Sequence, residues 1–183
     1  MTPVKFLHRF RRRALAGLIA LVAVAATAGC ANSSPDVAAY VGGTRISDSR
    51  LHEVTVAADT ALGARGQLSK SGVLNGLVLG EIADQAARQH GLRITDTERD
   101  ALASPSNLGP LLGDDRAREL AYGLADAELV RLRIGDQAFI QAVSEAQVRL
   151  NPRYGTWDPQ GYQNNQPVVG AGSESLSVPF ARP

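Results

Sequence analysis

Apolar residues fall into three patterns along this chain: one unbroken run, a stretch of alternation, and a long region of three- and four-residue spacing. The unbroken run covers residues 14–28, interrupted only by Gly17 and Thr27. It is shorter than the ~20 residues a bilayer-spanning helix needs. Residues 37–46 place Gly42-Gly43 between β-prone residues, which predicts a small hairpin with a two-residue turn. Ser47 and Asp48 then read as the N-cap and first turn of a helix carrying Leu51, Val54, Ala58 and Leu62, ending near residues 63–66. Leu74, Leu77, Val78, Ile82 and Ala86 define a second helix, from about Ser69 to His90, with Gly91 as its stop. Within it Gly76 and Gly80 share a face and permit close packing. Thr95 and Glu98 have the spacing of a capping box, opening a short third helix that stops before Ser104-Pro105. Residues 104–113 read as a loop. The longest helical pattern spans 114–134, with Ala117, Leu120, Ala121, Leu124 and Ala127 in one stripe. Gly135-Asp136 separates it from a helix carrying Ala138, Phe139, Ala142, Val143 and Ala146.

At Gln147 the period drops to two, with Val148 and Leu150 flanking Arg149 as a last short strand. From Asp158 onward the chain has four prolines with Gly, Asn, Gln and Ser, and no apolar periodicity. Residues 158–183 are therefore expected to be a disordered tail. The expected fold is mostly α with a small β element over residues 37–157, its first and last short strands able to pair and join the ends of the domain.

The apolar run at the start has a basic approach in Lys5, Arg9, Arg11, Arg12 and Arg13, with no acidic residue, and a small-residue end in Thr27-Ala28-Gly29-Cys30. That combination describes a secretory signal over residues 1–29. The arginine run lacks the Ser/Thr and Phe that flank a twin-arginine pair, which favours the general secretion route. The small residues before Cys30 resemble the lipobox of bacterial lipoproteins. The resemblance implies cleavage between Gly29 and Cys30 and a lipid on the Cys30 thiol. A Leu is commoner where Thr27 stands, and the alternative is an ordinary cleaved signal. Cys30 is the only cysteine, so no disulfide within one chain accounts for it. Residues 30–36 would then be a lipidated tether, placing the protein at the cell membrane on its extracytoplasmic face.

Cleavage changes the charge. All 18 acidic residues and 14 of the 19 basic ones lie from Cys30 onward, so the mature formal charge is about −4 rather than +1. A mildly acidic domain is a poor partner for nucleic acid and lacks the basic cluster that would hold it to anionic lipid. The lipid itself must anchor it.

Catalytic machinery is sparse. His52 and His90 are the only mature histidines, and each reads as a surface or helix-end residue. There is no Cys/His zinc pattern, no phosphate loop and no nucleophile elbow. Asp114-Asp115 and Asp96/Glu98/Asp100 lack EF-hand spacing and read as helix N-terminal charges. No cofactor or metal is expected. The densest group of large polar and aromatic residues is 151–157. Arg153, Tyr154 and Trp157 suit either a peptide-binding edge or a cap over the core where the chain leaves the domain.

The order of these segments resembles the SurA N-terminal domain family. Val37-Ala38-Ala39-Tyr40-Val41-Gly42-Gly43-Thr44-Arg45-Ile46-Ser47 is similar to its opening hairpin. Val73-Leu74-Asn75-Gly76-Leu77-Val78 resembles its second helix, and Gly91-Leu92-Arg93-Ile94-Thr95-Asp96-Thr97-Glu98 its capped turn. Residues 148–157 look like the ending of exported SurA-like lipoproteins of high-GC Gram-positive bacteria. The resemblance covers residues 37–157. It implies a chaperone, a holdase for unfolded or nascent exported polypeptides. Family members usually add a parvulin domain of roughly a hundred residues, and only 26 residues follow Trp157. Prolyl isomerase activity is therefore not expected, and the chain is not expected to be an enzyme. The alternative is an adaptor lipoprotein that presents a surface to one specific partner in the cell envelope.

Overall fold

The computed structural model describes residues 36–63 and 68–170. The leader, the Gly29-Cys30 cleavage and lipidation site, the tether to residue 35 and the last part of the expected tail, 171–183, lie outside the described residues.

The hairpin forms as β1 (Val37–Val41) and β2 (Thr44–Ser47), antiparallel with Val41 opposite Thr44 and Ala39 opposite Ile46. Of its two turn glycines only Gly42 has positive φ, at 56°. β3 (Val148–Leu150) lies along the other side of β1, with Ala39 opposite Leu150 and Val41 opposite Val148, so the sheet order is β2-β1-β3. The strand that opens the domain and the strand that follows its long helices are thus neighbours, as the pattern predicts. As the central strand, β1 buries Val37, Ala38, Ala39 and Val41.

Five of the six described helices follow their predicted bounds closely. α1 (Asp48–Leu62) is capped by Ser47, whose side chain accepts from the Arg50 N–H. α2 (Lys70–Gln89) is capped in the same way by Ser69. α3 (Asp96–Ala103) carries the Thr95/Glu98 capping box complete in both directions. α4 (Asp115–Ile134) begins at Asp114, which accepts from the N–H groups of Arg116 and Ala117. α5 (Asp136–Glu145) follows Gly135, whose φ of 90° separates the two helices. Between α3 and α4 the expected loop contains a 3-10 turn, Gly109–Gly113, that buries Leu111.

α2 and α4 pack backbone against backbone. A Cβ added at Gly80 would stand 2.6 Å from the Cα of Gly123, and one at Gly123 would stand 3.2 Å from the carbonyl oxygen of Gly76. Three glycines on two helices therefore make one seam. The core it belongs to includes Ile46, Leu51, Leu74, Val78, Val130, Phe139 and Val143, each almost fully buried. Burying one such side chain stabilises the fold by roughly 1.5–3 kcal/mol.

The expectation of a disordered tail from residue 158 is corrected for residues 158–170. This segment forms α6 (Gln160–Gln163) and β5 (Val169–Gly170), which pairs antiparallel with β4 (Thr156–Trp157). Val168 and Val169 are 0% and 2% exposed. Their order comes from two adjacent valines and main-chain hydrogen bonds. Neither source leaves a period in the sequence.

Candidate polypeptide-binding site

Residues 151–157 leave β3 through a tight turn. Asn151 is nearly buried and holds that turn to β1. Its backbone N–H donates to Ala38 O (2.8 Å), its amide donates to Val37 O (3.0 Å), and its Oδ1 accepts from the Arg153 N–H. Pro152 starts a 3-10 turn, Pro152–Tyr154. Arg153 stacks over the Tyr154 ring, 4.7 Å from its centroid, and reaches Asp48 Oδ1 at 2.9 Å. The Tyr154 hydroxyl donates to the same carboxylate oxygen. Asp48 sits in the first turn of α1, so these two residues tie the exit of the sheet to the start of the first helix. Trp157 lies in β4 opposite Val169.

The three residues singled out from sequence thus divide between two tasks. Arg153 and Tyr154 meet at Asp48. Trp157, partly buried against the core, belongs to a short strand whose far edge is taken by the chain's own β5.

The segment on that edge, 158–170, is held from two sides. From the β4 side, the Asp158 N–H donates to Val168 O (2.8 Å), and the two-residue ladder continues to Gly170. From the helical side, Asn75 of α2 accepts two successive main-chain N–H groups through Oδ1, from Val168 at 2.8 Å and Val169 at 3.2 Å. Tyr162 of α6 meets the buried Phe139 of α5 edge-on, with centroids 5.4 Å apart. Between these anchors residues 163–167 are exposed. The sequence reading missed Asn75. A polar residue amid the apolar run 73–80 was the available signal, and only the tertiary structure shows what it binds.

The remaining charged chemistry is internal pairing. Asp126 of α4 takes two hydrogen bonds from Arg99 of α3 (2.8 and 3.1 Å), while Arg99 also reaches Asp96 (2.7 Å). Burial raises the Asp126 carboxyl above its ordinary range, because desolvation outweighs the attraction of Arg99. Glu98 is lowered, chiefly because its carboxylate accepts from the Thr95 backbone N–H and hydroxyl. Glu128 is lowered by its hydrogen bonds from Arg131. A cleft of about 110 Å³ beside Arg99 and Asp126 is lined by Ala83, Ala87, Leu92 and Ile94. It is small against the ~300–1,000 Å³ of a typical ligand site, and its two central charged groups bind each other. His52 and His90 are both exposed. Asp100 accepts from the Tyr122 hydroxyl (2.9 Å) and Asp115 pairs with Arg118 (2.9 Å), which accounts for the acidic groups near α3 and α4. Among the described residues no group of three metal-ligating side chains forms. None of their helices is long and apolar enough to cross a membrane.

Compared with known proteins, the chain matches no family model, no curated protein and no solved structure.

Proposed function

We propose that this chain is a lipid-anchored extracytoplasmic holdase, binding unfolded or nascent exported polypeptides without cofactor or catalysis. The observation that supports it most is the way the domain holds residues 168–170. An extended piece of chain is gripped through its backbone, by Asn75 on one side and β4 on the other, with two small apolar side chains sunk into the core. Main-chain hydrogen bonds are common to every sequence, and alternate pockets add selectivity. Strand addition to a sheet edge uses that combination. The sequence supports the setting, through the basic and apolar leader that ends at Cys30 and through the resemblance to SurA N-terminal domains.

The test is suppression of aggregation. Mature chain carrying Cys30→Ser, in stoichiometric excess, should slow light scattering by a reduced, unfolding exported protein. No protection at any ratio would overturn the reading. Membrane attachment should require Cys30, and full attachment of Cys30→Ser would contradict the anchor.

One observation favours a second reading, the adaptor. The large hydrophobic residues exposed on the described surface are Val56 and Leu132, at 51% and 60%, on different helices. The described surface also carries exposed arginine–carboxylate pairs, including Arg45 with Asp36, Arg88 with Asp84 and Arg116 with Glu53. A polar surface of this kind suits one specific partner. Crosslinking of the lipidated protein in its membrane separates the two readings: many unrelated chains support the holdase, and a single partner at fixed ratio supports the adaptor.

A further inference from the structure

We infer that residues 166–170 are an intrachain occupant of a groove for extended polypeptide between β4 and Asn75, and that their release admits the client. This inference rests on the polypeptide-binding reading above and adds the site, its selectivity and its regulation.

The groove has two walls of hydrogen-bonding groups. β4 supplies the ladder at Thr156 and Trp157, extended by the Asp158 N–H to Val168 O. Asn75 supplies an acceptor for two successive amides. With the segment gone, β4 becomes an open edge and Asn75 Oδ1 loses both donors. Such groups bind whatever extended backbone replaces the segment.

The attachment suits an occupant that leaves. It consists of a two-residue ladder extended by the Asp158–Val168 hydrogen bond, two hydrogen bonds to Asn75, a one-turn helix whose Tyr162 meets Phe139, and the two valines, joined by the exposed residues 163–167. Asn165 in that stretch has φ of 55°, an uncommon conformation for any residue but glycine, though one that Asn tolerates best. The segment makes none of the β2-β1-β3 pairings, the caps of α1 to α4 or the glycine contacts of the α2–α4 seam.

The same contacts define what enters. The two central positions must each carry a backbone N–H, so proline is excluded at both. Proline is accepted just before them, where Pro167 stands, and it favours extended chain in the residue that precedes it. The side chains at the two positions are small and apolar, because Val168 and Val169 are enclosed. The position after them is tight on the β4 side: a Cβ at Gly170 would stand 3.2 Å from Thr156 Oγ1. The client class is therefore an uncharged extended segment with two small β-branched residues followed by a small one.

The test uses mature chain with Cys30→Ser and a fluorescent peptide matching residues 164–170. Thr156 and Gly170 are register partners, so Thr156→Cys with Gly170→Cys locks the segment closed when oxidised and frees it when reduced. A second protein, Val168→Asp with Val169→Asp, ejects the segment; circular dichroism checks that its helices persist. The reduced pair should bind the peptide and the oxidised pair should not. The ejected variant should bind at least tenfold more tightly than the intact chain, since apparent affinity falls with the fraction of open groove. A peptide with proline in place of Val169 should not bind. Equal binding by the oxidised and reduced pair overturns the inference, even if the ejected variant has unfolded. Aggregation assays on the same proteins keep the two ideas apart. Equal protection, locked or open, leaves the holdase standing without this groove. Peptide binding without protection in any state supports the groove and overturns the holdase.

Discussion

The α2–α4 seam and the segment 158–170, which buries Gly161, Val168 and Val169, both contribute to one domain, yet they are held by opposite means. The seam depends on side chains that are missing: Gly76, Gly80 and Gly123 let two long helices touch along their backbones. It joins elements that are capped and amphipathic in their own right. The segment depends on hydrogen bonds from its backbone and on two valines, and it has no local structure beyond one helical turn. The first kind of contact is part of the cooperative core. The second is a ligand-like contact made within the chain. We expect such a domain to open locally at the segment before it unfolds, because few buried apolar groups and a short ladder give low local stability.

The sharpest way to break the comparison is to fill the seam. Gly80→Leu places a side chain where Gly123 backbone stands, and the helices must part. We expect a loss of about 3 kcal/mol or more in urea unfolding. Phe139→Ala, at the border between core and segment, should cost about 3–5 kcal/mol, because the site it leaves is fully enclosed. An unchanged urea midpoint for either would show that α2, α4 and α5 are looser than described.

The segment should behave differently. Val169→Ala removes two methyl groups, about 1.6 kcal/mol of burial at ~0.8 kcal/mol per group. Asn75→Leu leaves two amides without an acceptor. In a cooperative core such a change would lower global stability, since an unsatisfied buried amide costs about 1–3 kcal/mol. Here the segment opens instead, so the urea midpoint should stay near that of the unaltered chain while the Val168 and Val169 amides exchange faster. A drop in midpoint as large as that of Gly80→Leu would make the segment part of the core.

The smallest expected effect is acid dependence at the capping box. Glu98 has a lowered folded pKa, so its stabilisation is present above the unfolded value of about 4.3 and is lost as pH falls through the folded value. Asp126 has the opposite sign: its folded pKa is raised, so protonation favours the folded state. Glu98→Gln should therefore flatten the fall in urea midpoint between about pH 5 and 3. An unaltered slope would assign the acid loss to other carboxylates.

The two regions also differ in how much of them the sequence shows. Ser47, Ser69, Thr95 with Glu98, and Asp114 mark helix starts by chemistry that acts within three residues, so local pattern suffices. Gly76 and Gly80 hint at a close approach through their four-residue spacing, but their partner Gly123 lies on another helix and has no local signature. The pattern gives α2 a single apolar face, whereas residues 73–80 are buried on all sides apart from Asn75. The segment itself supplies part of that cover. Its own order was not legible, because backbone hydrogen bonds carry no side-chain code and two valines make no period. Arg153, Tyr154 and Trp157 were legible as a cluster. Their division between Asp48 and β5 required the fold.

Native-state amide hydrogen exchange on mature Cys30→Ser protein addresses the separability of the segment most directly. The amides of Val168 and Val169 should exchange through a local opening that is insensitive to low urea, with protection orders of magnitude below that of Val78 in α2 and Ala121 in α4. If all four amides instead exchange only through global unfolding, with one common free energy, the segment is part of the core and no groove lies beneath it.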